Sequence, residues 1–377
     1  MRFSFKSTPE AAAAERFSSD YTAARKRFLE LAERGRLPLR SYRNPHPGPA
    51  GETLATDVAL HGPADAPKLL ITISATHGVE GFCGSGCQTD WLAETADEVP
   101  PAGIAILHVH AINPHGFAWL RRVTEENVDL NRNFLDFSRN ELPENPEYDA
   151  LADAFVPASL DPEVVAAAEA RIRSFREKHG ERALQSARSG GQYKHPKGIF
   201  YGGTEPTWAR KTLEQIVADY DLGGRQQIAV IDYHTGLGPY GYGELICDHD
   251  PGTPNLETAL AWYGESVTVP LLGTSASVPK HGTAGIFWER HCGTRAIYNA
   301  LEYGTFSPER GRGPMREDHV LHAAGNVAWS APETQRIKRN LRRHFFPDTQ
   351  PWRELVLFRS RQVLCQAMAG LTGGRAS

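Results

Sequence analysis

Five short apolar runs, spaced along the chain and separated by stretches of helical periodicity, most limit what this sequence can fold into. They cover 69–74, 104–112 (IAILHVHAI), 227–233 (QIAVIDY), 266–272 (SVTVPLL) and 295–301 (RAIYNAL). Runs apolar at successive positions, rather than at every second one, read as strands covered on both faces, as in a largely parallel sheet. Helical stretches fall between them at about 84–95, 161–179 and 205–220. Two more are predicted at about 9–35, from Pro9 to Gly35, and at about 353–369. The alternation predicts an α/β protein: a mixed, largely parallel central sheet sandwiched by helices. No repeat or low-complexity linker interrupts the chain, so residues 1–377 read as a single domain with its motif-bearing core at about 68–305. The glycine-rich region 180–206 reads equally as a lid, a pocket wall or a plain surface loop.

Several function classes drop out early. A formal charge of −4 gives no reason to expect nucleic acid or an anionic membrane as partner. No run approaches the roughly 18 apolar residues of a membrane span. The opening MRFSFKSTPEAAAAERF lacks the continuous apolar segment of a secretory signal. Five scattered cysteines, an odd number, read as reduced thiols, and the chain is expected to be cytoplasmic.

Ligands of open α/β sheets bind beyond the carboxyl ends of the strands, and four strand ends here carry reactive side chains. The first opens into SATHGVEGFCGSG, with His77 and Glu80 three residues apart among glycines. The second leads through Asn113 into NPHGFAWLRRVTEENVDLNRNF. The third ends IDYHTGLGPYG, with His234 at its exit, and the last ends YNALEYGTF, with Glu302. Taken alone, His77 is a capping or core histidine. Two histidines and a glutamate with an open fourth position are, however, a catalytic zinc set. The spacing is not the helical H-E-x-x-H arrangement. A general base must also take a proton from the attacking water, and Glu302, itself at a strand end, is the candidate.

In this order, His77-x-x-Glu80, NPHG, NVDLNRNF, His234 and Glu302 resemble the zinc carboxypeptidase superfamily, which includes carboxypeptidase A-like peptidases, aspartoacylase and succinylglutamate desuccinylase. The resemblance spans about 68–305 and is nearest to an uncharacterised bacterial branch with HTGLGPYG and FYGG segments. It implies one Zn2+ per chain, held by His77, Glu80 and His234, with Glu302 as catalytic glutamate. It also implies that Arg122 polarises the scissile carbonyl, a role adjacent Arg121 competes for, and that Asn131 and Arg132 hold the substrate's free carboxylate. These roles suit the chemistry: a guanidinium fork binds a carboxylate through two parallel hydrogen bonds, and a second arginine stabilises a developing oxyanion. One departure stands out. Many family peptidases carry a tyrosine about twenty residues before the catalytic glutamate; here the stretch is SVPKHGTAGIFWER, with His281 near that place.

The implied activity is that of a zinc-dependent metallopeptidase of carboxypeptidase type, acting on a small peptide. An N-acyl amino acid deacylase is the alternative, and a catalytically silent carboxylate-binding protein a further one. Asp232, on the same strand face as His234, is either a partner for that ligand or a plain strand-end residue. His108, His110 and His115 read as structural or rim residues, His249 in CDHDPG as a solvated turn, and Cys83 as packing. GVEGFCGSG is neither a dinucleotide loop nor a nucleophile elbow.

Overall fold

The computed structural model describes residues 5–139, 141–325 and 327–373. Eight strands form one sheet: β1 (Leu39–Arg43), β2 (Ala55–His61), β3 (Lys68–Ile73), β4 (Ile104–His110), β5 (Gln227–Tyr240), β6 (Gly243–Ile246), β7 (Val267–Thr268) and β8 (Ala296–Gly304). Their order is β1-β2-β4-β3-β5-β8-β6-β7. The centre, β4-β3-β5-β8, is parallel, while β1, β2 and the β6–β8 pairing are antiparallel, so the sheet is mixed and largely parallel as expected.

Both faces are covered, which is why the central strands read as continuous apolar runs. Leu70, Ile106 and Ile231 face helices Gly81–Thr95 and Gln350–Leu371, packing with Trp91, Val356 and Leu364. Their neighbours Leu69, Ile71, Leu107 and Val230 face helices Trp208–Asp219 and Ala284–Cys292, packing with Leu213, Ile216 and Trp288. A separate cluster joins helices Pro146–Phe155, Pro162–His179, Glu181–Ser189, Pro308–Ala323 and Pro332–Phe345 through Tyr148, Ile172, Leu184, Met315 and Leu341. This cluster also holds Phe200 and Phe345, which line the site described below.

Several boundaries differ from expectation. The helix expected over 9–35 is two helices, Pro9–Ala13 and Tyr21–Arg34, because the Asp20 side chain accepts from Ala23 N and starts a new helix. The strand expected over 266–272 is only Val267–Thr268, since Pro270 begins a 3-10 turn. The last helix runs Gln350–Leu371, and β5 continues past its predicted end to Tyr240.

Candidate metal centre

β3 delivers the first two residues through a strained exit. Ala75 holds φ at +61°, a conformation that costs a non-glycine residue about 1–3 kcal/mol. The turn is stapled to the 121–122 segment by Gly78 N donating to Arg122 O (3.1 Å) and Val79 N to Arg121 O (2.7 Å). Gly78 permits this approach: a Cβ there would lie 2.0 Å from the Gly116 carbonyl carbon. His77 caps a 3-10 turn, Gly78–Glu80, that runs into helix Gly81–Thr95, so Glu80 comes to lie beside it. On β5, His234 stands in register with Glu302 of β8, which brings those two together.

Three donors converge. His77 Nδ1 lies 3.1 Å from His234 Nδ1 and 3.0 Å from Glu80 Oε1, and His234 Nδ1 lies 3.4 Å from Glu80 Oε2. Ligands about 2.0–2.1 Å from a tetrahedral zinc sit roughly 3.3 Å from one another, so the spacing is that of three corners of such a site. All three residues are buried, and among the described residues this is the group that could hold a metal ion. The far ring nitrogens face carboxylates. His77 Nε2 is 3.0 Å from Asp129 Oδ1 and His234 Nε2 3.1 Å from Asp232 Oδ2, the outer contacts typical of metal-ligating histidines. Asp232 is therefore a partner of His234, held in turn by Thr76 Oγ1 (2.8 Å) and the Tyr298 hydroxyl (3.1 Å).

The electrostatics match a cation site. Burial would push Glu80 up, but His77, His234 and Arg122 hold its carboxyl well below the usual range. Burial would pull His234 down, yet Asp232 and Glu80 raise it to about 10. Glu302 accepts from Leu237 N (3.0 Å) and is raised to about 7, chiefly by burial and then by the charge of Glu80. A carboxylate poised there is a competent general base at neutral pH.

The centre opens into a cavity of about 310 Å³ lined by His77, His234, Glu302, Arg122, Asn131 and Arg132, with Glu80 outside the lining. Arg122 lines it, donating to Glu80 Oε1 (2.8 Å) and Asp129 Oδ2 (3.0 Å). Arg121 turns away to Asp318 Oδ2 (2.9 Å) and Asn127 Oδ1 (2.8 Å). Asn131 accepts from Ala284 N (2.8 Å). Arg132 is buried and donates to the carbonyls of Ser189 (2.7 Å) and Asn131 (2.6 Å). The other histidines singled out from the sequence are accounted for elsewhere. His108 bonds Thr72 Oγ1, His110 bonds Ser85 Oγ, and His115 stacks on Trp119. His249 is fully buried rather than in a solvated turn, because its ring bonds Glu289 Oε1 and accepts from Tyr298 N. Cys83 is buried, its thiol pushed well up by burial.

Sequence reasoning missed much of the wall. His281 is exposed and outside the cavity lining, while its neighbour Lys280 lines it; no tyrosine is among the lining residues. The 180–206 region supplies Arg188 and Phe200 as pocket wall, and helices Pro308–Ala323 and Pro332–Phe345 add Arg312, Met315 and Phe345. A lysine adjacent to His281, at the place where the tyrosine was expected, was the available signal for Lys280; nothing local marked the others.

Solved structures similar to this chain include bovine thrombin-activatable fibrinolysis inhibitor, in complex with a tick carboxypeptidase inhibitor. It is 11% identical with a TM-score of 0.40, over 92% of this chain and 98% of that one. A metallo-carboxypeptidase from Pseudomonas aeruginosa is 11% identical with a TM-score of 0.37, over 89% and 69%. The succinylglutamate desuccinylase from Chromobacterium violaceum is 16% identical with a TM-score of 0.36, over 85% and 74%. Likenesses this distant leave activity to be argued from the site. Among curated proteins no sequence matches this chain. The family profile described as "Protein of unknown function (DUF2817)" does match, over residues 17–359, and the chain belongs to that family.

Proposed function

We propose that this protein is a zinc-dependent amide hydrolase of carboxypeptidase type, acting on a small substrate with a free carboxylate. The observation that carries the reading is the facing of His77 Nδ1, His234 Nδ1 and the Glu80 carboxylate at 3.0–3.4 Å, with Glu302 in register beside His234. His77, Glu80 and His234 would hold the zinc, which when bound supplies Lewis acidity to acidify water and polarise a carbonyl. Glu302 takes the proton of the attacking water and returns it to the leaving amine. Arg122, which lines the cavity beside these residues, stabilises the oxygen that gains charge. Asn131 and Arg132 bind the substrate carboxylate, Arg132 through the N–H groups its backbone contacts leave free.

A second reading, N-acyl amino acid deacylation, is favoured by one observation: no tyrosine lines the cavity, and a cation, Lys280, lies next to the place where one was expected. Both chemistries are tested together. The zinc-loaded protein is assayed on short peptides and N-acyl amino acids, each as free acid and as amide. Turnover confined to free acids supports the Arg132 assignment, and equal turnover of amides sinks it. Glu302→Gln should keep its zinc and lose roughly 10²–10⁴-fold in turnover. Undiminished turnover would refute the mechanism.

A further inference from the structure

Arg188 is a cavity-lining cation that the fold leaves without a counter-charge. It sits on helix Glu181–Ser189, its Nη2 reaches only Met315 Sδ (3.4 Å), a weak acceptor, and its Nε is buried without a partner. Glu181 and Glu309 line the same cavity, yet among the described residues no carboxylate forms an ion pair with Arg188. Burial, then the charges of Arg312, Arg122 and Arg316, pull its guanidinium down to about 10.

Its placement is shared with two other arginines. The Phe200 ring has Arg122 Cζ 5.0 Å, Arg132 Cζ 5.4 Å and Arg188 Cζ 5.8 Å from its centroid. Phe200 itself holds φ at +54°, backbone strain of the kind kept at ligand-gripping sites. Three guanidiniums on one ring repel each other unless anions lie among them. Arg122 has Glu80 and Asp129, and Arg132 has two backbone carbonyls and the substrate carboxylate assigned to it above. Arg188 has neither. A half-buried guanidinium whose Nε is buried without a partner costs stability, and its fork matches a carboxylate bidentately.

We propose that Arg188 receives a second carboxylate of the substrate, so that the preferred substrates are small amides carrying two acidic groups, one on Arg132 and one on Arg188. This rests on the hydrolase reading for the word substrate, and the carboxylate receptor itself can be tested without turnover. Both arginines stand against one ring, so the two carboxylates belong to one small molecule. The second acid comes from an acidic side chain on the amine half or from a dicarboxylic acyl half.

The test has a binding arm and a kinetic arm. In the first, calorimetry on the zinc-loaded protein compares glutarate, with two carboxylates, and butyrate, with one. Wild type is expected to favour glutarate by roughly tenfold to a hundredfold, and Arg188→Gln to collapse that ratio to near one. Equal binding of the two by wild type, or a ratio that Arg188→Gln leaves intact, overturns the proposal. In the second, N-acetylglutamate is compared with N-acetylglutamine, and N-succinylglycine with N-butyrylglycine. The pair whose diacid preference Arg188→Gln abolishes identifies the half that carries the acid, and no preference in either pair overturns the assignment to substrate. A glutarate preference with no amide hydrolysed at all upholds the carboxylate receptor and refutes the hydrolase reading. Arg188→Met separates binding from folding: an unchanged or raised Tm is expected, and a fall in Tm shared by both variants would make Arg188 structural and overturn the proposal.

Discussion

His77 Nε2 has two partners that require opposite tautomers. Asp129 Oδ1 at 3.0 Å needs a proton on Nε2, whereas Arg122 Nη2 at 2.8 Å can only donate and needs a lone pair there. With Nδ1 protonated the ring serves Arg122 and Glu80; with Nδ1 bare, as a ligand must be, it serves Asp129, and Arg122 keeps its bonds to Glu80 and Asp129. His234 adds the second half of the exchange. Raised to about 10, it carries a proton at neutral pH that metal uptake must displace. Zinc affinity should therefore climb about tenfold per pH unit between pH 6 and 8, one proton leaving per ion, and should collapse in His234→Ala. Competition with a chromophoric chelator measures it. An affinity flat in pH would show that His234 is neutral before zinc arrives, and full zinc content in His234→Ala would remove His234 from the ligand set.

Between the elements, the tightest constraint is where the His77 turn meets the segment after β4. The Gly78 Cβ position coincides with the backbone of Gly116 in helix Pro114–Ala118, so Gly78→Ala must push one of the two segments away. A cost of about 1–3 kcal/mol is expected by urea unfolding, with weaker zinc binding because His77 moves with the turn. Wild-type stability and zinc affinity in the variant would mean the two segments slide freely past each other. This contact also marks where the sequence stopped being legible. β3, β4, β5 and β8 were readable because burial on both faces leaves continuous apolar runs, and their exits displayed His77, Glu80, His234 and Glu302. β1 (LRSYR) is half exposed and β6 (GELI) has four residues, so neither leaves a periodic trace. Helix Pro308–Ala323 opens PERGRGPM, a composition that argues against helix, yet supplies Arg312 and Met315 to the cavity. The candidate metal ligands were visible because a strand end dictates them locally. Arg188, Phe345 and Met315 were not, because only the packing of sequence-distant helices brings them to one cavity.

At the scale of the molecule, the helices that wall the cavity must be held over the ends of the sheet, and a buried ionic cluster provides one such tie. Asp318, on helix Pro308–Ala323, accepts from Arg121 Nε (2.9 Å), beside the His77 turn, and from Lys338 Nζ (2.6 Å) on helix Pro332–Phe345. Side-chain exposures of 3%, 2% and 0% for Arg121, Asp318 and Lys338 mean that water cannot replace the carboxylate. Asp318→Asn would strand two buried cations, at an expected cost of about 3–5 kcal/mol. Burial would raise Asp318, but Lys338 and Arg121 hold its carboxyl far below the usual range. A depressed folded pKa means the contribution is complete above the unfolded value near 4 and drains as pH falls below it. The gap between wild type and Asp318→Asn in urea unfolding should thus be full at pH 7 and narrower at pH 3. A gap independent of pH would show that the asparagine costs packing rather than charge. A variant as stable as wild type would show that Arg121, and with it the turn beneath His77, does not depend on the helical wall.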